Sequence, residues 1–531
     1  MDSRFVRAQF RSIVVLVAAT FACVPLQMRA QMLSLDPGKM TRVARVDERF
    51  ASYNIEMAEV TGGNFWKPYH EQGSTPANRP QPLRSASTPA GMNPNMYQYR
   101  PPIDLANTRL RELAAALGPA YVRVSGTWAN SVYFGHSDIP LKEPPVGFNG
   151  VLTRKQWKGV IDFVHAVNGE LVTSFASSIG TRDKRGVWTT KQASNWLAYT
   201  KSVGGRIAAA EFMNEPTYAA MGGAPKGYDA ADYARDIAVF KPWLKQNSPG
   251  TTFLGPGSVG EGPFRIAMGE LLHSESLLEA TGPVYEVFSY HLYAAASERC
   301  TSMGKKGQTT AAAALSEGWL SRPEKINQYY AGLRARFEPG KPLWITETAD
   351  AACGGNPWAS TFLDTFRFLV EYASLARRGV KVILHNTLAA SDYGLLDQNT
   401  LQPRPNYWAA LLWHKLMGTI VLDPHVSAAP NTYVYAQCRE GQPGGVTLLV
   451  INADGQRSFD LNLPTASERY TLTAKQVEGT TVELNGKSLH LTSNGDLPQL
   501  EGEPVKAGRV SFAPLSITFL SIRSAVNPNC Q

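Results

Sequence analysis

Histidine is scarce in this 531-residue chain, which has nine, and cysteine is scarcer, with five. No His-Glu-x-x-His segment occurs and no Cys/His group has zinc spacing, so the sequence implies neither a metal nor another cofactor. The Gly-x-Ser-x-Gly nucleophile elbow is missing, which argues against a serine esterase, and so is a phosphate-binding P-loop. Gly255-x-Gly257-x-x-Gly260 has dinucleotide-binding spacing, but Gly262-Pro263 follows where that motif needs a helix under way, so it reads as a loop. The formal net charge is +8, yet no dense basic tract appears, and no nucleic-acid partner is implied. A basic balance of this size suits an acidic partner or plain solubility. No apolar run reaches the roughly 20 residues that a membrane span needs. No internal repeat of fixed period is present.

The first thirty residues read as a secretory leader. Arg4, Arg7 and Arg11 precede a short apolar core, Ser12 to Cys23, and Met28-Arg29-Ala30 leads to a cleavage point before Gln31. Ile13 to Leu26 is too short to span a bilayer, and Thr20-Phe21-Ala22 makes Cys23 a poor lipoprotein cysteine. Removing the leader's four Arg and one Asp lowers the formal charge by three. A secreted or periplasmic protein is expected. Cys300, Cys353, Cys438 and Cys530 remain, an even number that permits two disulfides in three connectivities, with free buried thiols as the alternative.

From residue 50 to about 420, short apolar runs alternate with longer helical patterns. Eight candidate strands are Phe50–Ala58, Tyr121–Gly126, Glu170–Phe175, Ile207–Met213, Thr252–Gly255, Val284–Tyr293, Leu343–Thr346 and Val380–Asn386. Helical patterns between them include Leu105–Leu117, Trp157–Val167, Lys191–Ser202, Ala230–Lys245 and Phe362–Arg378. This α/β pattern predicts a (β/α)₈ TIM barrel over residues 49–420. Residues 67–102, rich in Pro, Ser, Asn and Gln, read as a long loop on the substrate face. Residues 421–531 carry β-like runs with turn signals such as Asn485-Gly486 and read as an all-β sandwich. Residues 31–48 are expected to join that sandwich, and residues 1–30 are the leader. On this layout Cys300 and Cys353 follow neighbouring strands, and Cys438 and Cys530 share the β region, which favours Cys300–Cys353 and Cys438–Cys530.

Two carboxylates stand out against this frame. Asn214-Glu215-Pro216 closes the apolar run Ile207 to Met213, and Glu347 closes Leu343-Trp344-Ile345-Thr346. Barrel enzymes carry reactive groups at the C-terminal ends of their strands, so glutamates ending strands four and seven converge over the mouth. Glycoside hydrolysis needs such a pair: one acid for the leaving oxygen and one carboxylate for the sugar carbon. The acid must stay protonated near working pH and the nucleophile needs hydrogen-bond donors, for which Tyr293 is placed. A single strand-end glutamate is more often a solvated charge; the Asn-Glu-Pro context and the second glutamate separate this pair from that background. Glu211 reads as structural, paired with Arg123. His291 either lines the site or satisfies a core hydrogen bond.

These residues bring a family into view. Leu117 to Thr127, Asn214-Glu215-Pro216, Trp344-Ile-Thr-Glu347-Thr348 with Gly354-Gly355, Tyr393-Gly-Leu-Leu-Asp397 with Pro405-Asn406-Tyr407-Trp408, and the tail Ser516 to Arg523 ending at Cys530 together resemble the heparanase-like β-glucuronidases, family 79 of the glycoside hydrolases. The resemblance implies a retaining hydrolase of β-linked glucuronic acid with Glu215 as acid/base and Glu347 as nucleophile. It implies that Asn214 holds the sugar 2-hydroxyl, that Tyr293 orients the nucleophile, and that Glu56 and Thr127 contact the terminal sugar. Asp392, Tyr393 and Gly394 match the loop that takes the uronic carboxylate, with Ser391 standing where animal heparanases have glycine. The partner is then an acidic glycan.

Exo cleavage of a terminal glucuronic acid is the favoured reading, since the 67–102 loop can wall off one end of the cleft. Endo cleavage of a heparan-like chain would use basic residues along a groove, for which Lys184-Arg185 and Lys305-Lys306 are candidates. A non-catalytic carbohydrate-binding protein on the same scaffold is a different class, and it has no reason to keep two facing carboxylates. A hydrolase of xylosides or arabinosides would lack the carboxylate-recognising loop. The oligomeric state is not legible.

Overall fold

The computed structural model describes residues 33–69, 89, 92–139, 141–266, 269–300, 307–426 and 429–531. The leader with Cys23, most of the 67–102 loop and Lys305-Lys306 lie outside the described residues.

Eight parallel strands close into a barrel: β1 Ala51–Glu56, β2 Tyr121–Ser125, β3 Glu170–Ser174, β4 Ile207–Glu211, β5 Thr252–Ser258, β6 Val287–Tyr293, β7 Leu343–Ala349 and β8 Val382–His385, with β8 pairing β1. The expected (β/α)₈ barrel is what forms. Every residue of β1, β6, β7 and β8 is buried, as in a sheet covered on both faces. Val172, Ala209, Leu254, Val287, Trp344, Val382 and Leu384 fill the barrel floor. The polar interior residues Asn54, Arg123, Glu211, Ser289 and Thr346 are buried further along the strands.

Several strand ends differ from the sequence reading. β1 stops at Glu56 instead of Ala58, because Glu56 starts the short helix Met57–Thr61 and its N–H is taken by the Glu59 carboxylate at 2.8 Å. β4 stops at Glu211 instead of Met213, so Glu215 lies four residues past the strand, in a left-handed conformation at φ 48°. β7 runs on to Ala349, so Glu347 sits inside a strand and not after one. β5 extends through Gly255 and Gly257, and the next helix begins only at Ser274, which leaves no dinucleotide-binding turn there.

Past the barrel, Thr41–Arg45, Met417–Asp423, Thr432–Arg439, Val446–Asn452, Ser516–Ile522 and Ser467–Thr473 lead a nine-stranded sheet. Leu33–Ser34, Phe459–Leu463 and Gly508–Phe512 form a three-stranded sheet against it. Strand Val446–Asn452 shows how the layers join. Leu448 and Val450 point into the core shared with Leu461 and Phe512, while Leu449 and Ile451 point into the core shared with the barrel helices. The strand Met417–Asp423 begins before residue 421 and pairs with the N-terminal strand Thr41–Arg45. Asn485-Gly486 links two short antiparallel strands with both residues at positive φ, as a two-residue hairpin requires. Cys300–Cys353 and Cys438–Cys530 are both bonded. Among the described residues no helix is long and apolar enough to cross a membrane.

Candidate active site

Arg123 organises the barrel mouth. It rises from β2 with 1% exposure, so its guanidinium must be satisfied by protein groups. Its Nε and Nη2 donate to Glu211 Oε2 at 3.2 and 2.9 Å, Nη1 donates to Glu347 Oε2 at 2.9 Å, and Nη2 also donates to Asn214 Oδ1 at 2.8 Å. One buried cation thus ties together the strand-four and strand-seven carboxylates. Burial works to raise the Glu211 carboxyl, but Arg123 holds it below its ordinary value, and Ser289 and Thr346 donate to its other oxygen at 2.8 and 2.7 Å. With every acceptor position occupied and no exposure, Glu211 is a structural counter-ion.

Glu347 receives the Tyr293 hydroxyl at 2.6 Å on Oε1, opposite the Arg123 bond on Oε2. These two donors fix the orientation of the carboxylate, one on each oxygen. Among the described residues Glu215 has no cation at hydrogen-bond distance. Burial pushes its carboxyl up to about 7, with the Arg123 charge acting against that and Glu211 adding to it. Its hydrogen-bond partner is His291, whose Nδ1 lies 3.0 Å from Glu215 Oε1. The His291 Nε2 lies 3.3 Å from Arg123 Nη2. A guanidinium only donates, so Nε2 is the acceptor and Nδ1 carries the hydrogen to Glu215. Burial lowers the His291 ring to about 4, which keeps it neutral.

One oxygen of Glu215, one of Glu347 and a His291 ring nitrogen all lie within 4.8 Å of one another. The spacing would also suit metal ligands, but the Arg123 guanidinium and the Nδ1 hydrogen already face those lone pairs. The two glutamates open onto a narrow cavity with about 50 Å³ of space, lined also by Glu56, Tyr293, Asn386 and Tyr393. A larger cavity of about 700 Å³, between Trp358, Arg404 and His490, holds neither glutamate.

The other sequence-selected residues divide. Glu56, Thr127, Tyr293 and Tyr393 line the cavity. Glu56 Oε1 accepts from Asn386 at 3.1 Å, Oε2 is buried with no partner among the described residues, and burial followed by the Glu347 charge pushes the carboxyl well up. The β2 turn makes room for it: a Cβ on Gly126, at φ 96°, would fall 1.6 Å from Glu56 Oε2. Asn214 and His291 are buried behind the two glutamates and do not line the cavity. Asp392 does not line it either. Its carboxylate is turned to the Tyr69 N–H at 3.1 Å and to Arg299 at 2.8 Å. Gly394 is packed on the backbone of Ala390 and Leu396. The loop is held from behind by Arg404, whose Nη1 donates to the carbonyls of Ser391, Asp392 and Gly394 at 2.7, 2.9 and 3.3 Å. Its effect at the cavity is to fix Tyr393. Lys184 and Arg185 are exposed, with Arg185 paired to Asp183.

Sequence reasoning missed Asn386, which donates to Glu56 and Tyr293 at 3.1 Å each. It also missed the bond from Arg123 to Glu347. An arginine in the middle of an apolar strand, Tyr121-Val-Arg123-Val-Ser125, was the available signal, because a buried guanidinium demands carboxylates.

No family model matches the chain. It is 28% identical to heparanase-like protein 1 of Arabidopsis thaliana, over 80% of this chain and 85% of that one. The chain is similar to heparanase-like proteins over most of its length. It is also 30% identical to baicalin-β-D-glucuronidase of Scutellaria baicalensis, over 56% of this chain and 55% of the relative. Its fold matches a 4-O-α-L-rhamnosyl-β-D-glucuronidase from Fusarium oxysporum with a TM-score of 0.60, at 13% identity over 92% of this chain and 99% of that one.

Proposed function

We propose that this glycoside hydrolase removes terminal β-linked glucuronic acid by a retaining, two-step mechanism, with Glu215 as acid/base and Glu347 as nucleophile. The carrying observation is that one oxygen of each carboxylate lies within 4.8 Å of the other's, an approach that suits the close pair of a retaining enzyme, about 5–5.5 Å apart, better than the roughly 6.5–9.5 Å that an inverting water requires. In the first step Glu215 gives its proton to the glycosidic oxygen while Glu347 attacks the sugar carbon, which releases the leaving group and forms a glycosyl ester. In the second step Glu215, now ionised, takes a proton from water as that water attacks the same carbon, and Glu347 leaves. The His291 Nδ1–H contact to Oε1 leaves Oε2 of Glu215 to carry the proton. Glu56 and Tyr393, which line the cavity, meet the sugar. Similarity to a protein named for a glucuronidase activity supports a glucuronide as the substrate. The narrow cavity favours exo action. Two disulfides suit an oxidising compartment, and we read the chain as exported.

The test is to incubate the purified protein with an aryl β-glucuronide, the matching aryl β-glucoside and a heparan oligosaccharide, and then size the products. Release of monomeric glucuronic acid with no cleavage of the glucoside is expected. Internal scission of the oligosaccharide would establish the endo reading instead, and cleavage of the glucoside alone would remove the uronic specificity.

The acid role also sets a pH dependence. With Glu215 at about 7, kcat/KM for a substrate with a poor leaving group falls above that pH, because the acid is then ionised in the free enzyme. The shift carries a stability cost of definite sign. Below the ordinary value of 4.5 both folded and unfolded chains hold this proton, and from there through about 7 only the unfolded chain ionises freely, so folding loses stability as pH rises across that window. A pH–rate profile with no limb near 7 would contradict the assignment.

A further inference from the structure

The cavity lining mixes polar groups, Glu56, Tyr293, Asn386 and Tyr393, with apolar ones, Trp66, Pro89, Met221 and Ala352. The apolar part is built and not incidental. Trp66 stacks on Tyr97 at 4.5 Å and meets Trp128 edge-on at 6.5 Å. Met92, Met96, Met221 and Leu271 stay partly buried against a small separate core that includes Tyr218, Ile266 and Tyr293. Among the described residues lining the cavity none is Lys or Arg. Arg123 is committed to Glu211 and Glu347, and Arg299 is held by Asp392 and the face of Tyr69, 3.9 Å from the ring centroid.

Met221 is tied mechanically to the acid. It belongs to the 3-10 segment Pro216–Gly222, which begins directly after Glu215. Thr217 locks that segment to Val259 through two hydrogen bonds of 3.1 Å, and Tyr218 donates to the Ile266 carbonyl. Glu215 must reach the leaving oxygen, so the group beyond that oxygen passes over the segment that follows Glu215. Methionine offers such a group a flexible, polarisable surface that suits a ring.

Resting on the glucuronidase reading, we propose that the leaving group is an uncharged apolar or aromatic aglycone held against Met221 and Trp66, and not a sulfated sugar. The test compares 2-phenylethyl β-glucuronide with ethyl β-glucuronide, two alkyl leaving groups of similar acidity that differ in apolar reach. The wild-type protein is expected to favour the phenylethyl substrate in kcat/KM. Met221→Ala is expected to reduce that preference about tenfold, the scale of lost apolar contact in a pocket, and Met221→Leu to restore most of it because volume is kept. An unchanged preference in Met221→Ala overturns the proposal. So does a wild-type kcat/KM for a sulfated oligosaccharide that exceeds the phenylethyl value and falls steeply with salt. Turnover of the ethyl substrate tests the underlying reading separately: with neither glucuronide cleaved, the glucuronidase reading itself fails.

Discussion

Glu347→Gln is expected to lower turnover of an aryl β-glucuronide by at least about 10⁴-fold, close to 5 kcal/mol of barrier, while the protein folds normally. The chemical part of the argument is that an amide oxygen is neutral and a poor nucleophile, so no glycosyl ester forms. The structural part concerns the groups around it. In the native protein Glu347 accepts from Tyr293 on one oxygen and from Arg123 on the other. A glutamine can keep both contacts by placing its oxygen toward Arg123 and its amide toward Tyr293, whose hydroxyl turns to accept. Arg123 keeps Glu211 as counter-ion, so no buried charge is left alone. A mechanism-based 2-fluoro glucuronide should label the wild-type chain at Glu347, as read by peptide mass, and leave the variant unlabelled. Turnover within tenfold of wild type, or labelling at another carboxylate, would remove Glu347 from the nucleophile role.

Much of the barrel was legible because buried parallel strands leave continuous apolar runs, and eight of them alternate with helical patterns here. The strand ends were less legible. Glu56 leaves its strand early because a capping contact from Glu59 outweighs the apolar pattern that runs on to Ala58. Glu215 lies beyond its strand, in a left-handed turn that no periodicity reports. Pair contacts across the barrel were the hardest to read, since they depend on register and stagger. Arg123 was assigned to Glu211 alone, yet it also reaches Glu347 and Asn214. His291 stood undecided between lining the site and satisfying a core hydrogen bond; it is a buried ring that does not line the cavity, with its hydrogen pointing at Glu215. Asp392 was read as part of the loop that takes the uronic carboxylate. Its own carboxylate meets Arg299 and the Tyr69 N–H, which come from other loops and left no signal in the local sequence.

Glu215→Ala should separate the two halves of the reaction. Acid assistance is worth about 10²–10⁴-fold, and it is needed in proportion to how poor the leaving group is. Loss of activity is therefore expected to be about 10³-fold or more for an alkyl glucuronide. For an activated aryl glucuronide the first step proceeds with little help, and the glycosyl ester accumulates because no base remains to activate water. Added azide needs no base, so it should restore turnover and give the β-glucuronosyl azide, with configuration kept after two inversions at the same carbon. The pH limb near 7 should vanish in the same variant, because the group that produces it is gone. Removing Glu215 also leaves the His291 Nδ1–H without its 3.0 Å partner, with Glu347 Oε2 next nearest at 3.7 Å. A drift of the ring toward the nucleophile could slow the reaction by itself. Glu215→Gln controls for this, since its carbonyl still accepts from Nδ1 while the proton is lost. Both variants should show the same steep dependence on leaving group, and only the alanine variant has the space for azide. Formation of the α-azide would assign Glu215 as nucleophile instead, and a pH limb that survives in both variants would place the acid elsewhere.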